Sequence, residues 1–202
     1  MSDSSLKSQV SPSKSIALFG GTFNPIHNGH VMVARAALAE LGVDRLFVLP
    51  AAQSPFKPED APAPAALRAE WARLAFEELD NCEVDMRELE REGISYSVDT
   101  VREFADEFPG AELFWLIGAD HIAALPDWRE AETLARLITF VAVPRPEEGV
   151  VKFPVPFCGR MLSGQPMEVS ASDIRRRLRA GESVDELVPP KVAEALEKGH
   201  PF

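Results

Sequence analysis

The chain of 202 residues has little of what marks secreted or membrane proteins. It contains only two cysteines, Cys82 and Cys158, which lie far apart without a CxxC spacing. This argues against a disulfide framework and favours a reduced compartment, with the cytoplasm as the simplest location. No apolar run approaches the roughly 20 residues that a membrane-spanning helix needs. The start of the chain is polar and lacks the apolar core of a signal peptide, so we expect a flexible tail over residues 1–14 and one domain over residues 15–202.

The chain also lacks positive charge. It has 21 Lys and Arg against 32 Asp and Glu, which gives a formal net charge of -11 at pH 7. This argues against broad binding to nucleic acid or to an anionic membrane, because both partners favour a basic surface. A small anionic ligand remains compatible with this balance if positive charge is concentrated locally.

What the sequence does contain is an alternation of short apolar runs and amphipathic segments. This alternation predicts an α/β fold: a Rossmann-like, open and mostly parallel sheet with helices on both faces and a C-terminal helical segment. Less definite signals are Asp127, which could cap a helix with Glu130 at its third position, and two possible short strands over 150–157 and 160–169. The predicted strands are Ser15–Gly21, Arg45–Pro50, Cys82–Met86, Glu112–Gly118 and one centred on Phe140, and the predicted helices follow His27, Ala65, Ser97, Ser170 and Lys191.

Two of the four histidines, His27 and His30, lie in the stretch GGTFNPIHNGH, residues 20–30, directly after the first predicted strand. In open parallel sheets, ligands bind outside the carboxyl ends of the strands. Gly20 and Gly21 allow close approach to the backbone, and the helix that follows offers free N–H groups and a positive dipole end. The histidines, at i and i+3, can project together and donate hydrogen bonds to phosphate oxygens. The stretch therefore predicts a phosphate site.

The stretch has other interpretations. It is neither the G-x-G-x-x-G of dinucleotide-binding proteins nor a Walker A loop, because no GK[ST] follows. A metal site would need a third ligand, and no spacing places His121 or His200 beside the pair. The histidines could also be ordinary polar residues at a helix start, with glycines that only turn the chain.

The stretch GGTFNPIHNGH resembles the G-G-T-F-[DN]-P-x-H-x-G-H signature of the nucleotidyltransferase superfamily that shares its HxGH element with class I aminoacyl-tRNA synthetases. It is most similar to the nicotinate-nucleotide adenylyltransferases. Further stretches extend the resemblance from about Ser15 to Arg179: LPAAQSPFK resembles L-P-x-x-x-P-P-H-K, SYSVDT resembles S-Y-T-x-D-T, IGADHIAALPDW resembles I-G-x-D-x-x-x-x-L-P-x-W, and VSASDIR resembles I-S-S-T-x-I-R. The chain departs from these patterns at Phe56, where histidine is common, and at Ala171 and Ser172, which replace serine and threonine.

The last of these stretches also has a local interpretation. Ser170 is a predicted N-cap with Asp173 three residues on, and the helix it opens carries Arg175, Arg176, Arg177 and Arg179. The arginines could form a solvated face. Alternatively, Ser170, Ser172 and Arg175 bind phosphate at the helix start and supply the local positive charge that an acidic chain needs.

The resemblance implies transfer of AMP from ATP to nicotinate mononucleotide, which gives nicotinate adenine dinucleotide and pyrophosphate in NAD biosynthesis. It implies Mg²⁺ held largely by phosphates and water, without a dedicated protein cage, and no nucleic-acid or membrane partner. Alternatives are another acceptor, such as nicotinamide mononucleotide or phosphopantetheine, cytidylyl transfer, or a nucleotide-binding regulator without turnover. The residues that the resemblance implies in catalysis are His27, His30 and Arg175. Those implied at ATP are Gly20, Gly21, Lys57, Ser170, Ser172, Arg175, Gly118 and Asp120. Those implied at the mononucleotide are Thr22, Phe23, Thr100 and Trp128.

Two of these assignments have an alternative. Lys57 could be a solvated loop lysine, because loop tips tolerate such residues. Trp128, taken alone, could be a packing residue of the core.

Overall fold

A computed structural model of the protein describes residues 14–56, 62–143, 152–163, 167–199 and 202. Within these ranges the chain alternates between strands and helices, as predicted. In chain order the elements are β1 (Ser15–Gly21), α1 (Asn28–Leu41), β2 (Arg45–Pro50), α2 (Ala65–Phe76), β3 (Cys82–Val84), α3 (Arg87–Arg91), α4 (Ser97–Glu107), β4 (Glu112–Gly118), a 3₁₀ segment (Ala119–Asp127), α5 (Ala131–Leu137), β5 (Thr139–Val143), β6 (Gly159–Met161), α6 (Ala171–Arg179) and α7 (Pro190–Gly199).

The strands form one six-stranded sheet in the order β3-β2-β1-β4-β5-β6, and every pair of neighbours is parallel. The chain runs outward from β1 to β3 on one side and from β4 to β6 on the other. The strand order therefore reverses between β1 and β4. Ligands of doubly wound sheets bind at such a reversal, outside the carboxyl ends of the strands.

Each face of the sheet carries its own apolar core. On one face, β1 and β2 pack against α1, α2 and α7, for example through Ala34, Trp71 and Val192. On the other face, α4, the 3₁₀ segment and α5 contribute side chains such as Phe104 and Ile122. Because both faces are covered, the inner strands are continuous apolar runs rather than alternating ones. The predicted Rossmann-like fold with helices on both faces is confirmed, including the C-terminal helix.

The predicted helix cap at Asp127 was wrong. Asp127 ends the 3₁₀ segment, and α5 begins only at Ala131, after Glu130 in the left-handed region at φ 51°. Pro126 and the extended backbone at Trp128 separate the two helical segments. Glu130 is paired with Arg102 of α4 instead of closing a capping box.

The two short strands predicted over 150–157 and 160–169 also differ from the structure. Residues 152–157 are not strand, and β6 covers only Gly159–Met161, at the edge of the sheet. The proline-rich composition of the first segment explains the difference, since proline cannot donate to a sheet ladder. The predicted tail over residues 1–14 lies outside the described residues apart from Lys14. No helix of the described ranges is long and apolar enough to cross a membrane.

Candidate active site

A cleft of about 1310 Å³ lies outside the carboxyl ends of β1 and β4. Its walls come from the β1–α1 loop, the start of α1, the end of β4 and the start of α6. Lys57 lies outside the described residues, and Thr100 is buried and does not line the cleft. The predicted residues that do line the cleft are Gly20, Gly21, Thr22, Phe23, His27, His30, Gly118, Asp120, Trp128, Ser170, Ser172 and Arg175.

Glycines of this region allow close packing. A Cβ atom at Gly21 would lie 2.9 Å from the ring of Phe23. A Cβ atom at Gly29 would lie 2.9 Å from Val169, just before α6, and 3.1 Å from Nδ1 of His27. Real Cβ atoms essentially never approach other atoms to less than 3.0 Å. Glycine at position 29 therefore brings the two helix starts that line the cleft together.

The β1–α1 loop is held by side chains from three directions. Nη1 of Arg68 donates to the Thr22 carbonyl oxygen at 2.8 Å, and Nη1 of Arg175 donates to the Asn24 carbonyl oxygen at 2.8 Å. The Asn24 side chain accepts from the backbone N–H of Ala63 at 3.0 Å. Between them, Phe23 is buried with a positive φ of 48°. A non-glycine residue in this conformation is stable only where its surroundings fix it, as these contacts do.

His27 and His30 form a stacked pair at the start of α1. Their ring centroids are 3.6 Å apart at an interplanar angle of 25°. His27 is the N-cap residue, and its backbone N–H donates to Nδ1 of His30 at 3.1 Å. A neutral imidazole that accepts at Nδ1 carries its proton on Nε2. His30 therefore presents an N–H donor at the cleft.

Burial keeps both imidazoles neutral at pH 7. It lowers the pKa of His27 from 6.5 to about 4. It also lowers the pKa of His30 well below 6.5, and the neighbouring His27 adds to that effect. Nδ1 of His27 is buried and has no hydrogen-bond partner among the described residues. This atom lies against the start of α1 and has no accessible surface, so a hydrogen bond from His27 to a ligand would have to come from Nε2.

The start of α6 forms the opposite wall. Oγ of Ser170 accepts from the backbone N–H of Asp173 at 3.2 Å, which confirms Ser170 as the N-cap. Nη2 of Arg175 donates to Oγ of Ser172 at 3.2 Å. Arg176 and Arg177 pair with Asp173 and do not line the cleft. Among the arginines of α6, Arg175 is therefore the one that lines the cleft, at a helix end that favours anions.

The other end of the cleft is aromatic. Trp128 packs edge-to-face on buried Phe140, with ring centroids 5.8 Å apart. It also meets Phe56 at 5.4 Å, and Phe56 meets His121 at 5.3 Å. Phe56 and Trp128 line both the main cleft and a smaller cavity of about 540 Å³, whose wall includes Arg129. Trp128 therefore packs on the core with one part of its ring and lines the cleft with another. It can serve as a packing residue and still be available to a ligand.

Thr100 does not face the cleft as the resemblance implied. It is fully buried, donates to Oε1 of Glu88 at 2.7 Å and accepts from Nη2 of Arg91 at 2.7 Å. Glu88 itself lines the cleft and is nearly buried, and this burial raises its pKa. Thr100 occupies the inner side of α4, so it can only support the wall from behind.

Sequence analysis missed two buried charged residues at this site, Glu88 and Arg68. Arg68 is 1% exposed and shares the helical phase of buried Ala72 and Ala75 on α2. That phase was a usable signal, because a charged residue in an apolar stripe is rarely buried unless its polar atoms are satisfied. Glu88 had no comparable pattern, since α3 has only five residues.

Known proteins resemble the chain in sequence and in fold. The cytidylyltransferase-like family model matches residues 18–177. A nicotinate-nucleotide adenylyltransferase of Bacillus subtilis is 36% identical over 92% of this chain and 96% of its own, and a probable nicotinate-nucleotide adenylyltransferase of Thermus thermophilus is 41% identical over 91% and 96%. Among solved structures, a nicotinic acid mononucleotide adenylyltransferase of Plasmodium falciparum, complexed with NaAD, superimposes with a TM-score of 0.73 over 92% of this chain and 95% of its own, at 17% identity.

The parallel sheet, the histidine pair at the end of β1 and the arginine at the start of α6 define the class of the protein: an α/β nucleotidyltransferase. The comparisons narrow this class. The chain belongs to the cytidylyltransferase-like family and, within it, to the nicotinate-nucleotide adenylyltransferases.

Proposed function

We propose that this protein transfers AMP from Mg-ATP to nicotinate mononucleotide and releases pyrophosphate and nicotinate adenine dinucleotide, a step of NAD biosynthesis. The observation that carries the proposal is the placement of the histidine pair and of Arg175 around one cleft, where the strand order of the sheet reverses. The acceptor is assigned from the relatives, which are nicotinate-nucleotide adenylyltransferases.

The reaction is a direct transfer. An oxygen of the 5'-phosphate of the mononucleotide forms a bond to the α-phosphorus of ATP. The bond from the α-phosphorus to the oxygen that bridges it to the β-phosphorus breaks. Pyrophosphate leaves with the electron pair, in line with the attack. Such a transfer depends mainly on positioning and on stabilisation of the phosphate charge.

The histidines would meet this charge as neutral donors. Nε2–H of His30 would donate to the triphosphate, and His27, which lines the same cleft, would donate from Nε2 of its ring. A donor whose interaction strengthens as charge develops on the leaving pyrophosphate lowers the barrier. Because the imidazoles are uncharged before ATP arrives, they present donors without repelling Mg²⁺.

The start of α6 would anchor the distal phosphates. Ser170 and Ser172 offer hydroxyl groups there, and Arg175 offers a charge-assisted bond. Ala171 lines the same wall but has no polar side chain, so this anchor would lack one hydroxyl of the family pattern. Lys57, which the resemblance assigns to the same phosphates, is proposed on sequence alone.

The mononucleotide would occupy the side of the cleft opposite the start of α6. Backbone groups of Gly21, Thr22 and Phe23 would meet its phosphate, and the indole of Trp128 would stack on its pyridine ring. Phe56 now contacts Trp128, so it would lie against the same ring. Gly118 and Asp120 would line the nucleotide part of the cleft.

Magnesium would arrive with ATP. The described residues contain no group of three or more His, Cys, Asp or Glu side chains that could hold a metal ion. Mg²⁺ commonly keeps several waters and binds through substrate phosphates, so it would need no dedicated protein cage. The ion would neutralise charge on the triphosphate.

The test is pyrophosphate release by the wild-type protein with Mg-ATP, with and without nicotinate mononucleotide, together with the mass of the nucleotide product. We expect release only with the acceptor and a product of the mass of nicotinate adenine dinucleotide. Replacement of ATP by CTP, or of the acceptor by phosphopantetheine, should leave little activity. Binding of ATP without acceptor-dependent release would favour a regulator and contradict the proposal.

A further inference from the structure

Arg68 of α2 is a buried cation whose hydrogen bonds end on main-chain carbonyl groups. Its Nε donates to the Ala63 oxygen at 2.9 Å, and its Nη1 donates to the Thr22 oxygen at 2.8 Å and to the Ala51 oxygen at 2.6 Å. Nη2 lies 3.4 Å from the Ala52 oxygen. Within the described ranges it forms no ion pair, and burial lowers its pKa, although an arginine side chain stays charged at neutral pH.

These carbonyl groups belong to the two loops that follow β1 and β2. Thr22 lies in the loop that leads to His27, and Ala51 and Ala52 begin the loop that leads to Phe56. A single guanidinium therefore joins the two loops on the inner side of the cleft. Arginine suits this position because its planar group directs five N–H donors outward, whereas lysine has one nitrogen on a flexible stem.

The direction of each carbonyl group fixes the N–H of the same peptide. In a trans peptide the C=O and N–H groups point in opposite directions. The Ala51 carbonyl oxygen points to Arg68, and the N–H of Ala52 donates to Oγ of Ser95 at 2.9 Å on the other side. The same geometry turns the N–H of Phe23 away from Arg68. This N–H donates to no atom of the described residues, and Phe23 lines the cleft.

We propose that Arg68 is a positioning residue for AMP transfer: it holds the Thr22 carbonyl so that the N–H of Phe23 faces the reacting phosphates, and it fixes the β2–α2 loop beside them. This inference rests on the proposed function, because the phosphates are those of that reaction. Arg68 itself touches neither substrate.

The test compares Arg68→Lys with two controls on the same helix. Arg73→Lys makes the same change at an exposed position. Trp71→Phe alters a side chain that is 1% exposed and lies in the core, so it lowers stability while leaving the guanidinium of Arg68 and its hydrogen bonds in place. All variants are assayed at a temperature at which circular dichroism shows them folded, and Arg68→Gln serves as a second variant.

We expect Arg68→Lys to lower kcat on the order of 10- to 100-fold, because small misplacements of reacting groups have effects of this size. KM for nicotinate mononucleotide should change less than kcat. Arg73→Lys and Trp71→Phe should keep kcat within about twofold of the wild type. A folded Arg68→Lys protein with wild-type kcat would overturn the proposal, as would a loss matched by Trp71→Phe. Failure of both Arg68 variants to fold would assign Arg68 to the fold alone and overturn it too.

Failure of the proposed function is separable from failure of this inference. If the wild type transfers no AMP to nicotinate mononucleotide, the proposed function fails on its own. Calorimetric binding of Mg-ATP then decides about Arg68. We expect a Kd several-fold higher for Arg68→Lys than for Arg73→Lys, and equal values would contradict the inference.

Discussion

At the scale of single residues, the histidine pair combines two tasks in a few atoms. Nδ1 of His30 accepts from the backbone of His27 and completes the start of α1, while its Nε2 is left for a ligand. The contact with Phe23, at 5.0 Å between ring centroids, holds the imidazole from the side. The helix cap therefore orients the proposed catalytic donor.

This double role can be separated by mutation. His30→Ala removes the donor, and we expect turnover to fall on the order of 10²- to 10³-fold in steady-state assays, as for other single transition-state donors. His30→Gln keeps an acceptor for the backbone N–H, as in a capping box, but not the imidazole. It should recover the melting temperature without recovering turnover. Undiminished turnover of His30→Ala would remove His30 from the mechanism.

The depressed pKa of His27 predicts a particular loss of stability in acid. The unfolded chain takes up a proton near pH 6.5, whereas the folded protein does so only near pH 4. The unfolded state therefore binds more protons in this window, and the free energy of unfolding falls as the pH drops from 6.5 to 4. The contribution of His27 over this whole range is about 3 kcal/mol.

Urea unfolding between pH 7 and 4.5 measures this effect, with His27→Gln as the comparison. The variant should show a shallower fall, since it has no imidazole to protonate. Glu88, whose pKa is raised by burial, stabilises the folded protein as the pH falls. It does so in both proteins, so its effect cancels when the two pH dependences are subtracted. Identical pH dependence of the two proteins would contradict a buried neutral His27.

At the scale of elements, the two helix starts that face the cleft differ in how they are capped. The start of α1 uses a histidine pair, whereas α6 uses the serine hydroxyl of Ser170. Ser170→Ala should reduce the free energy of unfolding by about 1 kcal/mol through loss of the cap. It should also raise KM for ATP if the hydroxyl or the ordered N–H groups bind phosphate. Ser170→Thr, which keeps the hydroxyl, is the matched control, and an unchanged KM in Ser170→Ala would separate the cap from the phosphate site.

The elements also show what the sequence could predict. β1 and the β1–α1 loop were predictable because a buried parallel strand is a continuous apolar run, and its glycines and histidines follow directly. Ser170 was predictable because capping is local. Asp127 was not, because the 3₁₀ segment and Pro126 shift the start of α5 by several residues without changing the capping pattern.

Contacts between distant segments of the chain were the part of the site that the sequence could not predict. Thr100 lies in a stretch that resembles the family, yet its hydroxyl bonds with Glu88 and Arg91 of α3 rather than with the cleft. Arg68 contacts residues 46 and 17 positions away in the chain. Spacing along one helix cannot reveal such partners, because they depend on how the loops fold back over it.

At the scale of the whole molecule, a chain of net charge -11 is proposed to bind two phosphate-bearing substrates. The structure reconciles these facts by local placement. Arg175 faces the cleft directly, Arg68 lies beneath its loops, and Arg176 and Arg177 are paired with Asp173. Arg175, Arg68 and the two helix starts favour the binding of anions in the cleft, although the molecule as a whole carries negative charge.

We propose that the cleft transfers AMP to nicotinate mononucleotide in preference to other acceptors. The most direct measurement is a competition: the wild-type protein with Mg-ATP and equal concentrations of nicotinate mononucleotide and nicotinamide mononucleotide, followed by chromatographic separation of the two dinucleotides. We expect nicotinate adenine dinucleotide to dominate the early product. A predominance of the nicotinamide dinucleotide, or the formation of neither dinucleotide, would contradict the proposed function.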